Sequence, residues 1–205
     1  MLCAARFLDR ILPLKSAELL SAIRHDRAVT LTNLDVDTAA RLRATELSYG
    51  DVGRTAAELP SGYRYLCQTS RVGKGAEDFR SAASDLLTWQ MHLRAGLHVT
   101  ASAMRAEPGV DLMLRLQIGP FRLAAPCRVV YVVDQPTRKG FAYGTLVGHP
   151  ERGEESFIVE HQKNDVVTFT INAFSRPATL LAKVSGPIGR AIQTRITSRY
   201  LRSLL

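Results

Sequence analysis

The feature that most constrains this chain is a change of hydrophobic period. From about Gly96 to Phe174 apolar side chains recur at every second position, whereas the flanking segments repeat at three- and four-residue steps. In residues 110–117 the alternation is plain: Val110, Leu112, Leu114 and Leu116 share one face of an extended chain, with Asp111, Arg115 and Gln117 opposite. Further strands read at 63–69, 125–133, 141–147, 155–161 and 166–174. The connections DQPTRKG, GHPERG and QKND are short and rich in turn formers, which favours antiparallel neighbours.

Helical spacing precedes and follows the strands. In 75–94, Phe79, Ala82, Ala83, Leu86, Trp89 and Leu93 fall on one side, and Gly96 ends the helix. Ser175 and Pro177 mark the start of a terminal helix with a kink at Gly186-Pro187; Ile188, Ile192, Ile196 and Leu204 form one stripe and Arg195, Arg199 and Arg202 another. A sheet with one apolar face has to cover it, and laying the last helix across it does so most economically. The predicted fold is therefore α+β of the helix-grip kind, a curved antiparallel sheet of about seven strands under a long C-terminal helix. Residues 46–205 read as its single domain. Residues 1–45 read as an N-terminal helical extension, with one short helix broken at Pro13 and a second in VDTAARLRATEL, 36–47, capped by Asp35 or Asp37. Residues 48–62 read as loop.

Composition supports a folded chain with one core: 46% of the 205 residues are hydrophobic and 22% charged. No run of about 18 apolar residues is present, and the start lacks a secretory core, so a cytoplasmic protein is expected. Cys3, Cys67 and Cys127 are too widely spaced for a disulfide framework or a zinc site and read as reduced thiols. The net charge of +8 is uneven, since six basic residues and no acidic one fall in 176–205. Such a field attracts anions.

Five strings carry a family resemblance: LPSGYRYL at 59–66, WQMHLRAGL at 89–97, PCRVVYVVD at 126–134, GFAYGTLVGHPERGEESF at 140–157 and AFSRP at 173–177. In that order they resemble the bacterial and plant family catalogued as domain of unknown function nineteen-ninety, over 46–205. The resemblance implies no assigned activity. It implies a fold akin to the START and Bet v 1-like helix-grip proteins, a group that includes polyketide cyclases and lipid-transfer domains.

Several side chains could carry chemistry. His149 beside Glu151, Glu154 and Glu155 could shuttle a proton, although Glu154 and Glu155 as strand neighbours point to opposite faces. The alternative is a solvated turn with a carboxylate paired to Arg128 or Arg176. Tyr131 and Tyr143 could direct hydroxyls into a cavity, and Trp89 could either pack the core or line that cavity. Arg176, between the last strand and the last helix, could meet an anionic group at the cavity mouth. His92 at a helix end suits the helix dipole. No phosphate loop, nucleophile elbow or CxxC pair occurs, so no cofactor or metal is assigned.

These observations point first to a binding protein for a small apolar or amphipathic molecule, with Trp89, Arg128, Tyr131, Tyr143 and Arg176 as contacts. A hydrolase, cyclase or dehydratase using His149 with Glu154 or Glu155 is the rival, and the sequence leaves the choice open. A third reading is an interaction module working through the basic terminal helix. Tyr200 is the one aromatic near those arginines, which argues against nucleic acid and leaves a peripheral contact with an anionic membrane. Oligomeric state has no signature in the chain.

Overall fold

The computed structural model describes residues 29–118, 121–178 and 186–204. The helix expected before Pro13 and residues 179–185 lie outside them, as do the side chains of Ile188 and Ile192. The elements are β1 (Leu31–Asn33), α1 (Val36–Ala44), β2 (Arg64–Lys74), α2 (Gly75–Leu87), α3 (Gln90–Arg94), β3 (His98–Ala101), β4 (Asp111–Ile118), β5 (Phe121–Gln135), β6 (Arg138–Thr145), β7 (Glu151–His161), β8 (Val166–Pro177) and α4 (Gly186–Arg202). A single 3-10 turn spans Arg54–Ala56.

Eight strands form one sheet in the order β1-β3-β4-β5-β6-β7-β8-β2. Every described pairing is antiparallel except that of β1 with β3. The helix-grip architecture predicted from the alternation is what forms, with eight strands rather than seven. The strands not located from sequence are β1 and β3, three and four residues long, too short for a periodic signal.

The helix predicted over 75–94 is divided. Trp89 adopts a left-handed backbone (φ 67°), where α2 has ended and α3 begins. Its indole N–H donates to the Ala103 carbonyl at 3.1 Å, and its fully buried ring packs edge-on to Phe141. Backbone strain is offset here by aromatic burial. The end of β8 also differs from expectation: Ser175 and Pro177 continue the strand opposite Arg64, Gly153 and Glu151 and do not open a helix.

The sheet has two covered faces. On the concave side Phe141, Phe157, Phe169 and Val159 meet Phe79, Ala82 and Leu86 of α2, with Tyr200 and Leu204 of the last helical segment. On the convex side lie α1 and the segment between Leu47 and the 3-10 turn. Asp35 caps α1, accepting the Thr38 N–H at 2.8 Å. At the other end of α1, Arg128 donates to the carbonyls of Leu42 (2.6 Å) and Arg43 (3.3 Å), where the helix dipole favours a cation. The same guanidinium binds Asp111 at 2.6 Å. Residues 31–44, assigned to an extension by sequence, thus supply an edge strand and a helix tied to the sheet.

Asp111 was expected on the solvated face of β4, but its side chain is 1% exposed. Removing Arg128 leaves that buried carboxylate, among the described residues, with Arg43 at 3.7 Å as its remaining ion pair. The Arg128→Ala variant is expected to lose about 3 kcal/mol of unfolding free energy, seen as a lower urea midpoint; a loss under about 1 kcal/mol would assign the pair no structural weight.

Candidate functional site

Cross-strand register places Tyr143 beside Glu155 and Phe141 beside Phe157, all on the concave face. The Tyr143 hydroxyl donates to Glu155 Oε2 at 3.2 Å. Over this pair sit Tyr200 from α4 and His92 from α3. The His92 ring centroid lies 5.2 Å from Tyr200, 5.7 Å from Phe157 and 5.9 Å from Tyr143. His92 is 0% exposed, and among the described residues neither ring nitrogen has a hydrogen-bond partner.

Burial sets the protonation of this quartet. Desolvation pushes His92 down to about 3, so the imidazole is neutral. Desolvation raises Glu155 to about 7 against the opposing pull of the Tyr143 hydrogen bond. The phenols of Tyr143 and Tyr200 are raised by the same burial and then by neighbouring groups, Glu155 among them. Near neutral pH the site therefore holds two phenolic O–H donors, an imidazole with one donor and one acceptor nitrogen, and a carboxyl balanced between its two forms. Such groups can hold a neutral polar atom of an otherwise apolar molecule, and Glu155 can exchange a proton with it.

An opening of about 190 Å³ lies between β2, β8 and α4, lined in part by Leu66, Ala173, Ser175 and Thr197. Ala173 is the direct cross-strand neighbour of Glu155. The gap thus approaches the quartet along the sheet.

The other sequence candidates fall elsewhere. Glu154 and Glu155 do face opposite sides, and their fates differ. Glu154, 2% exposed on the convex face, accepts from Tyr49 Oη (2.7 Å), the N–H of Gly53 (2.6 Å) and both the N–H (2.9 Å) and hydroxyl (2.5 Å) of Thr55. It fastens the loop at 49–55 to the sheet. Gly144 permits this approach, because a Cβ there would collide with the Tyr49 hydroxyl.

His149 stays within its own turn: its Nδ1 accepts the Glu151 N–H at 2.9 Å, and desolvation lowers it to about 4. The described hydrogen bonds join it to neither Glu154 nor Glu155. Tyr131 parts company with Tyr143 because β5 carries a bulge between Val129 and Tyr131, which shifts register by one and turns Tyr131 to the convex face. There its hydroxyl bonds to Thr55 Oγ1 at 2.8 Å. Arg176 packs over the Tyr63 ring, 4.8 Å from its centroid, on that same side. Trp89 and Tyr143 remain on the concave side. Among the described residues no group of three or more His, Cys, Asp or Glu side chains could hold a metal, and no helix is long and apolar enough to cross a membrane.

Sequence reasoning missed His92 and Tyr200. His92 read as a helix-end cation, whereas its ring enters the core. Tyr200 read as a lone aromatic among arginines, although its four-residue spacing from Ile196 and Leu204 already placed it on the packing stripe.

A curved antiparallel sheet gripped by a C-terminal helix, with four polar side chains gathered between them, defines a helix-grip protein. The chain belongs to the family described as Domain of unknown function (DUF1990), which it matches over residues 48–203. It is 33% identical to a UPF0548 protein of Deinococcus radiodurans over 178 residues, covering 81% of this chain and 89% of that one. A UPF0548 protein of Arabidopsis thaliana is 30% identical over 123 residues, 57% of this chain and 59% of the relative. Among solved structures, a hypothetical protein of Helicobacter pylori superposes with a TM-score of 0.54 at 10% identity, covering 69% of this chain and 85% of its own. That likeness is one of fold.

Two measurements probe these assignments. Because the folded pKa of Glu155 is raised from 4.5 to about 7, the native state holds its proton more tightly, and this contribution to stability falls as pH rises from about 4.5 to 7. His92 and His149, with depressed folded values, act in the opposite sense below 6.5. Glu155→Gln is expected to remove the falling component, on the order of 3 kcal/mol, when urea unfolding of variant and wild type is compared at pH 5 and pH 7.5; an unchanged difference would contradict the assigned burial. Glu154→Gln is expected to cost about 2 kcal/mol at pH 7 and to leave any ligand or turnover untouched. Loss of activity at full stability would return Glu154 to the site.

Proposed function

We propose that this protein binds a small, largely apolar molecule bearing one neutral polar group, held between the concave sheet and α4. The observation that carries this reading is the buried His92 ring with both nitrogens unpartnered, beside the hydroxyls of Tyr143 and Tyr200. An unsatisfied buried polar group costs about 1–3 kcal/mol, and a ligand carbonyl or hydroxyl would recover it. The aromatic rings around the quartet supply an apolar lining, and the opening beside Ala173 supplies a way in. Of the contacts expected from sequence, Tyr143 belongs to this site directly and Trp89 through its packing on His92.

A second reading rests on Glu155. A carboxyl at about 7 beside two phenols is poised for general acid–base work on the same molecule, and it replaces the His149 pairing as the acid–base candidate.

Mass spectrometry of small molecules released from natively purified protein tests the binding role. The wild type is expected to carry a compound that His92→Phe and Tyr143→Phe lose. His92→Phe is also expected to gain about 1 kcal/mol of stability, since it removes an unsatisfied polar group at nearly constant volume. If no compound is released, and an apolar fluorescent probe binds wild type and His92→Phe equally, the proposal fails. Conversion of the released compound by wild type but not by Glu155→Gln would establish the second reading.

A further inference from the structure

On the other side of α4 lies a groove of about 880 Å³, formed with α2 and lined also by Ser203 and Leu204. Arg195, Arg199 and Arg202 occupy positions i, i+4 and i+7 of the helix and share one face, turned away from the stripe of Ile196 and Tyr200. All three line the groove, and Arg94 enters it from α3.

The carboxylates available do not balance them. Asp85 is engaged by Arg94 at 2.7 Å. Asp78 accepts the Lys74 N–H at 2.7 Å at the start of α2. Among the described residues neither Arg195 nor Arg202 forms an ion pair. The Nε of Arg195 is buried without a hydrogen-bond partner. Burial, then the charges of Arg195 and Arg202, make the protonated form of Arg199 harder to hold than usual. Like charges crowded on one helix face repel, and only an added anion relieves them without breaking other contacts.

We propose that this groove binds a soluble, phosphate-bearing small molecule, its phosphoryl oxygens accepting from Arg195 and Arg202. A dianion matches the two guanidiniums of Arg195 and Arg202, and the planar donor forks of arginine suit phosphoryl oxygens. The floor of Val72, Ala82 and Leu204 accommodates a short apolar portion. The arginines line a recess between two helices and do not form a flat outer surface, which favours a soluble molecule over a bilayer. The site shares no residue with the interior quartet and does not rest on the binding role proposed above.

Pyrophosphate is the probe, followed by calorimetric titration and by thermal unfolding at low ionic strength. Pyrophosphate is expected to bind and to raise the melting temperature, and sulfate at equal ionic strength to do so far less. Arg195→Gln and Arg202→Gln together are expected to weaken binding at least tenfold, while Arg54→Gln, exposed on the convex side, leaves it unchanged. Ser81→Glu, which brings a carboxylate into the groove, is expected to raise the melting temperature without pyrophosphate and to abolish the response to it. That gain in stability separates a relieved charge cluster from a damaged fold. The proposal is overturned if pyrophosphate has no effect on wild type, if affinity survives in the double variant, or if sulfate is as effective. Co-sedimentation with phosphatidic acid vesicles while pyrophosphate is inert would likewise overturn it, in favour of a membrane surface.

Discussion

Phe157 stands at the centre of the concave face, and the structure is arranged around keeping it dry. Its ring is within 5.2–6.5 Å, centroid to centroid, of Tyr143, Phe141, Tyr200, His92 and Phe169, rings delivered by two neighbouring strands and two helices. Each such side chain contributes on the order of 2–3 kcal/mol when removed from water. An antiparallel sheet supplies no cover for its own face, so α2, α3 and α4 have to lie where they do. The left-handed backbone at Trp89 follows from the same demand, because it lets one helical stretch turn and present both Trp89 and His92 to the rings.

The convex face solves a different problem with polar means. Glu154 gathers four donors from the loop at 49–55, and Arg128 ties α1 to Asp111. A buried carboxylate with this many donors has its oxygens satisfied within the fold. One residue further along the strand, Glu155 enters an apolar interior with one phenol as donor and is pushed toward neutrality. Adjacent, chemically identical side chains therefore meet opposite surroundings, one bonded into the fold and one in an apolar interior, because a strand alternates its faces.

The two sides of α4 divide in a similar way. Its inner stripe offers Ile196, Tyr200 and Leu204 to the core, and its outer stripe offers three arginines to a groove. One helix thus links an apolar interior, carrying hydrogen-bonding groups, to an arginine-lined recess. Movement of α4 away from the sheet would alter both at once.

Much of the fold was legible in the chain. Period two in 110–117 and 166–174, and period three to four in 75–87, located strands and a helix because burying one face imposes those spacings on any sequence. The charge of the last thirty residues was likewise open to view, since charge is counted without knowing shape. The candidate site was legible only in part: Tyr143 and Glu155 were named, but His92 and Tyr200 were passed over, and Tyr131 was assigned to the wrong face. A single bulged residue between Val129 and Tyr131 leaves no mark in the hydrophobic pattern, yet it reverses every side chain beyond it. Which carboxylate would find four donors, and which imidazole would find none, depended on segments tens of residues away in the chain. Local sequence determined the elements and their apolar faces; long-range packing alone decided which polar groups were buried together, because desolvation and hydrogen bonding act through space and not along the chain.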